Sequence, residues 1–203
     1  GVRYITLCHN YVNDICDASR YTKGHSWGGL SEFGYKVVER MNELGMIIDF
    51  SHASSSTLWD LLECSKAPVI ATHSSVWELK KNNRNLKDDE IKAIAKAGGL
   101  IQLASGRFFL SDLPKKEVTI KHLADHIDYV KNLVGAEYIG LGTDFDGGGG
   151  VVGLEDCSKM KDLTKELLLR GYTPYELSLF WGGNFLRVWQ KIIDVSKELK
   201  KVK

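Results

Sequence analysis

A membrane-spanning helix needs about 18 or more consecutive apolar residues, and no window of this sequence supplies them; no basic-then-apolar leader opens it either. Charge of one sign is lacking too, since 27 basic residues face 26 acidic ones and the only basic run is the tail from Lys197 to Lys203. Nucleic acid and acidic membrane surfaces are therefore excluded as main partners. Four cysteines, Cys8, Cys16, Cys64 and Cys157, show no C-x-x-C spacing, which excludes a zinc knuckle and a thioredoxin-type redox pair. A chain of this size does not need disulfide staples, so reduced thiols are expected. Three prolines and 43% hydrophobic residues fit neither collagen nor a disordered segment. What is present suffices for one substantial core, and residues 1–203 are expected to form a single domain.

Five short apolar runs recur at about residues 2–8, 46–51, 69–73, 99–104 and 138–143, with helix-like patterns between them. The segment from Ser31 to Gly45 has a capping serine, apolar residues at three- and four-residue steps and a terminal glycine. Similar patterns cover Ser54 to Cys64, Lys87 to Ala97, Thr119 to Val134, Lys159 to Arg170, Thr173 to Trp181 and Asn184 to Leu199. Alternation of strands and helices, with strands apolar on both faces, implies an α/β fold with a helix-covered parallel sheet. A doubly wound sheet would carry a glycine-rich phosphate turn after its first strand, and here that strand leads into Cys8-His9-Asn10. A (β/α)8 barrel fits better, because its active site is assembled from the carboxyl ends of several strands. Five runs fall short of eight strands, so the expectation is the C-terminal five strand-helix units of a barrel, with its N-terminal strands supplied from outside this sequence.

The ends of those runs carry the chemistry. His9, His52, His73 and Asp144 each close an apolar run, and imidazole and carboxylate are costly to bury without a hydrogen bond or a metal. His52 and His73 are 21 residues apart (73 − 52), one strand-helix-strand unit, which suits two zinc ligands facing one barrel mouth. Asp144, in Gly142-Thr-Asp-Phe-Asp-Gly147, can ligate a metal and move the proton that hydrolysis requires; Asp146 abuts the glycines and is expected to brace the turn. Arg84, in the loop after the His73 run, offers a guanidinium for a substrate carboxylate. Asp14, Asp17, His25 and Trp27 are rim candidates in the long loop after His9. His122 and His126 have metal-pair spacing, but Asp125 and Asp128 interleave them, so a solvated outer helix face is expected.

Taken together, Gly1 to His9, Ile48-Asp-Phe-Ser-His52, Ala67 to Ser75, Arg84-Asn85, Gly142 to Gly147 and Gly153-Leu-Glu-Asp156 resemble the membrane (renal) dipeptidase family of zinc peptidases, in the amidohydrolase superfamily. The resemblance runs from Gly1 to about Lys191. It implies a two-zinc site that hydrolyses dipeptides, some members also accepting D-residues or β-lactams. By position it implies that His52 and His73 bind one zinc and that Asp144 sits by the other and shuttles the proton. His9 would steady the oxyanion, and Arg84 would hold the dipeptide carboxylate. The family's H-x-D pair and bridging glutamate are not found in this sequence, so at most one zinc site is expected to be partly formed and the 203 residues alone are expected to be inactive. Arg107 and Phe109 stand where some relatives contact substrate with other side chains, leaving the dipeptide preference open. Another amidohydrolase activity and a truncated, non-catalytic barrel remain as alternatives, and a homodimer is compatible with the family. The compartment is not determined.

Overall fold

The Ile- and Val-rich runs form five short parallel strands: β1 (Tyr4–Thr6), β2 (Ile47–Asp49), β3 (Val69–Ser74), β4 (Leu100–Ala104) and β5 (Ile139–Gly142). Their order is β1-β2-β3-β4-β5 in a computed structural model that describes residues 1–20 and 26–201. β1 pairs with β2 from Tyr4↔Ile47 to Thr6↔Asp49, and β2 with β3 through Ile48↔Val69 and Asp49↔Ile70. β4 pairs with β5 from Ile101↔Ile139 to Ala104↔Gly142.

Helices lie between the strands, as the alternation requires, and three more follow the last strand. They are α1 (Glu32–Leu44), α2 (Ser55–Cys64), α3 (Asp88–Lys96), α4 (Arg107–Leu110), α5 (Ile120–Val134), α6 (Met160–Leu169), α7 (Pro174–Ser178) and α8 (Asn184–Lys201). Local chemistry sets their ends. The Ser31 hydroxyl accepts the Gly34 N–H at 2.9 Å to start α1, and Ser54 accepts the Thr57 N–H at 3.2 Å to start α2. Asp88, Asp89 and Glu90 place negative charge in the first turn of α3. Two features depart from the sequence expectation. The short helix α4 has too few residues to show a period. The segment from Thr173 to Trp181 gives only α7, because the chain then widens into a π-turn, Leu179–Gly183, broken at Gly182.

The chain packs as two compact units. The first comprises Gly1–Ala71, Ala93–Leu100 and Phe185–Lys203. Its core is built by α8, whose Val188, Ile192 and Val195 pack with Ile47, Ala67, Ile70 and Leu100, flanked by Phe185, Trp189 and Leu199. Steps of three and four residues keep that stripe on one helix face, and burial of each large side chain contributes about 1.5–3 kcal/mol. The Ser196 hydroxyl donates to the Glu43 carbonyl at 2.7 Å, tying α8 to α1.

The second unit comprises Thr72–Lys92 and Ile101–Asn184. Here α5 buries Leu123, Ala124, Ile127 and Val130, and α6 buries Leu163 and Leu167. Arg170, just past α6, donates to Asp125 and Asp128 of α5 at 2.7 Å each and to Glu166 at 2.8 Å, so one guanidinium binds the two helices. A side chain at Gly142 of β5 would run into the carbonyl oxygen of Thr72 in β3. In a flat sheet, strands two places apart lie about 9.5 Å from each other. Contact that skips β4 therefore requires a curved sheet, and only glycine admits it.

Candidate active site

In the first unit, the chain leaving β2 turns at once. Ala53 N–H donates to the Phe50 carbonyl at 2.9 Å, and His52 occupies the third position of that turn with φ 74°. This is the position where a type II turn takes glycine or asparagine. The turn is braced on both sides: the buried Asp49 carboxylate accepts from Ser51 N–H at 2.9 Å and from the Thr6 hydroxyl at 2.6 Å, and the His52 carbonyl accepts from Ser19 N–H at 2.7 Å. His9, exposed just beyond β1, brings its ring to 4.3 Å from that of His52, centroid to centroid. Two residues 43 positions apart in sequence (52 − 9) thus meet at neighbouring strand ends.

The rim candidates resolve differently. Asp17 is buried, and its carboxylate accepts from the Ser26 hydroxyl at 2.6 Å and from Trp27 and Gly28 N–H at 2.9 Å each. Burial pushes its carboxyl up, yet these hydrogen bonds outweigh that and hold it below the usual carboxylate range. It pins the loop instead of facing substrate, and Trp27 likewise donates its indole N–H to the Asn13 carbonyl at 2.8 Å. Asp14 is exposed, and His25 lies outside the described residues. All four cysteines are free; Cys8 and Cys16 are buried together, and their mutual hydrogen bond, ahead of burial, raises the Cys16 thiol far above its ordinary value.

In the second unit, His73 lies inside β3 and its Nδ1 meets the Thr72 hydroxyl at 2.7 Å. Arg84 is not a solvated loop residue: it is 4% exposed, its guanidinium donates to the His73 carbonyl at 3.1 Å, and it lies 5.6 Å from the centre of the Phe109 ring. Asn85 beside it donates to the carbonyls of Lys80 and Phe109 at 2.8 Å each. Nothing in the polar string Lys80 to Asn85 signals that burial, which Phe109 supplies from outside the loop.

Asp144 comes two residues after β5 ends, so it and Asp146 do not alternate along a strand. It opens a 3₁₀ turn, Phe145–Gly147, in the left-handed region with φ 56° and ψ 34°. Its carbonyl accepts from Gly147 N–H at 3.0 Å and Gly149 N–H at 2.6 Å. A side chain at Gly147 would collide with the Asp144 carboxylate. The buried Ser105 hydroxyl donates to the Thr143 carbonyl and accepts from Gly150 N–H at 2.9 Å, closing the glycine loop over this turn. Asp144 is half-buried and Asp146 exposed. Among the described residues, His52 and Asp144 are the two non-glycine residues with left-handed backbone, a conformation that costs about 1–3 kcal/mol and gathers at functional sites.

The helix pair reads otherwise than its interleaved aspartates suggest. His126 is 1% exposed, accepts from Val76 N–H at 3.0 Å and donates to the Leu110 carbonyl at 3.2 Å. His122 accepts from Thr119 N–H at 3.1 Å and caps α5. Residues 123, 126, 127 and 130 share one helix face, and that spacing was the available signal that His126 lies with Leu123, Ile127 and Val130. Imidazole and carboxylate at His52, His73 and Asp144 are donor types that zinc accepts. Among the described residues, however, no three or more His, Cys, Asp or Glu side chains gather closely enough to hold an ion. The donors fit zinc in kind and fall short in number.

Histidine and aspartate thus stand at or just past the ends of parallel strands in each unit, His52 and Asp144 on left-handed backbone. The membrane dipeptidase family model, a peptidase family, matches residues 1–203, and the chain belongs to that family. It is 41% identical over 204 residues to an uncharacterized dipeptidase of Schizosaccharomyces pombe, covering 99% of this chain and 49% of that protein. The dipeptidase aclJ of Aspergillus oryzae is 38% identical over 200 residues, with 98% and 47% covered. The chain thus spans about half the length of these curated relatives. Among solved structures, the probable dipeptidase PvdM of Pseudomonas aeruginosa superposes with a TM-score of 0.92 at 30% identity, over 96% of this chain and 64% of that one.

Proposed function

We propose that this chain is the C-terminal part of a single-domain (β/α)8 barrel, residues 1–203, whose centre hydrolyses the peptide bond of dipeptides with the help of zinc. The observation that carries the proposal is the placement of His52 and Asp144, in left-handed backbone just beyond parallel strands, at positions where the family resemblance puts metal binding and proton transfer. The family membership and the dipeptidase relatives support the same reading.

In this reading His52 and His73 would hold one zinc. The Thr72 hydroxyl meets Nδ1 of His73 at 2.7 Å, a neighbour that orients the imidazole as partners of metal-binding histidines do. Asp144 would stand beside the second metal. Zinc, when bound, supplies an activated water at neutral pH and polarises the scissile carbonyl. Asp144 takes the proton from the attacking water and returns it to the leaving amine. His9 donates a hydrogen bond to the oxygen that gains charge at the tetrahedral carbon, and Arg84 binds the free carboxylate of the dipeptide. The ligands still needed come from a portion of the barrel outside these residues.

A non-catalytic barrel is the second reading, favoured by the lack of three converging donors among the described residues. Zinc content and dipeptide hydrolysis, measured for the full-length parent and for its His52→Ala variant, decide between them. Loss of one zinc and of most hydrolysis in the variant supports the proposal. Unchanged activity in His52→Ala sinks the metal assignment.

A further inference from the structure

The loop that carries Arg84 is closed at its root. Leu86 N–H donates to the Ser75 carbonyl and Trp77 N–H to the Leu86 carbonyl, each at 2.8 Å, so the chain returns beside its own start two residues after Arg84. The short helix α4 is stitched to that loop. Asn82 donates to the Phe108 carbonyl at 3.1 Å, Asn85 donates to the Phe109 carbonyl at 2.8 Å, and the Phe109 ring faces the Arg84 guanidinium.

His126 of α5 holds both pieces at once. Its Nδ1 accepts from Val76 N–H, at the root of the loop, and its Nε2–H donates to the carbonyl of Leu110, the last residue of α4. Accepting at Nδ1 requires that nitrogen to be bare, so the two bonds select the neutral Nε2–H tautomer. An apolar residue of similar size would leave one backbone N–H and one C=O unpaired in a buried place. Nothing in the dipeptidase reading gives this histidine a task, yet it is the shared anchor of the two segments that fix the guanidinium.

We propose that His126 is a positioning residue for the Arg84 clamp: by bridging Val76 and Leu110 it sets the guanidinium's place and hence the affinity for the substrate's free carboxylate, without touching substrate. The inference rests on the reading of Arg84 given above.

The test is steady-state kinetics of the zinc-loaded full-length parent that contains these residues, on a dipeptide and on the same dipeptide with its C-terminus amidated. The variants are His126→Phe, His126→Asn, which retains an acceptor for Val76, Arg84→Ala and the double variant Arg84→Ala/His126→Phe. Expected for His126→Phe is a KM for the free acid raised about tenfold with kcat within about twofold, and an unchanged KM for the amide. In His126→Asn the KM rise is smaller, and in the double variant it is no greater than in Arg84→Ala alone. Independent, multiplying effects in the double variant, or kcat falling with KM, overturn the inference and leave His126 a purely structural residue. Should the phenylalanine variant fail to fold by circular dichroism, the same criteria apply to His126→Asn, alone and combined with Arg84→Ala. Intact hydrolysis with unchanged KM overturns only the role of His126, whereas absence of hydrolysis in the unmodified full-length parent overturns the dipeptidase reading and this inference with it.

Discussion

His52 and Asp144 hold a backbone conformation that glycine adopts at no steric cost, and the neighbouring hydrogen bonds from Ser19, Ala53, Gly147 and Gly149 keep them there. Replacing His52 with glycine relieves the backbone while removing the imidazole; replacing it with alanine removes the imidazole and keeps the strain. Chemical unfolding is therefore expected to find His52→Gly more stable than His52→Ala by about 1 kcal/mol, with zinc lost from both. Equal stability would show that the turn is not strained. His126 provides a second residue-scale prediction. Burial, partly offset by the hydrogen bond to Leu110, lowers its pKa from 6.5 to about 4. The unfolded state then binds the proton more readily, so the contribution is complete above about pH 6.5 and is lost as pH falls toward 4. The loss integrates to roughly 3 kcal/mol, to be read as the slope of unfolding free energy between those limits, which His126→Phe should flatten.

At the scale of elements, the helices were the most legible. Ser31 and Gly45 bound α1 through bonds made within a few residues of themselves, so their types suffice to place both ends. Contacts that set the site reach much further. His126 binds partners 50 and 16 positions away, and Arg84 faces Phe109 across the gap between a loop and a four-residue helix. Interleaved Asp125 and Asp128 suggested a solvated face because nothing local reveals that Val76 and Leu110 converge on α5. The glycine loop after β5 was read as a turn, but its part in seating Asp144 depends on Ser105 of another strand end. For Gly147→Ala the added methyl must displace the Asp144 carboxylate. In the full-length parent the expected result is a fall in kcat of about tenfold or more with Tm changed by only a few degrees, measured by dipeptide turnover and thermal melting. Full activity in that variant would remove Asp144 from the proton path.

At the scale of the molecule, the chain belongs to the membrane dipeptidase family and spans about half of its curated relatives. Histidine and aspartate at the strand ends are donor types that a metal accepts, and no group of three or more His, Cys, Asp or Glu gathers among the described residues. Metal analysis of the 203-residue chain is expected to find at most one weakly held zinc, removed by a mild chelator with little loss of helix content, because α1 and α8 draw their packing from apolar contacts. Two tightly bound zincs per chain would overturn the view that further ligands are needed.

By itself the sequence determined the alternation of strands and helices, the ends of α1 and α2 and the strand-end placement of His9, His52, His73 and Asp144, because each depends on periodicity or on bonds between near neighbours. Only the tertiary structure decided which polar residues are buried. Arg84, Asp17, Ser105 and His126 become fixed when groups 9 to 50 residues away meet them, and the identity of such partners leaves no mark on the local pattern.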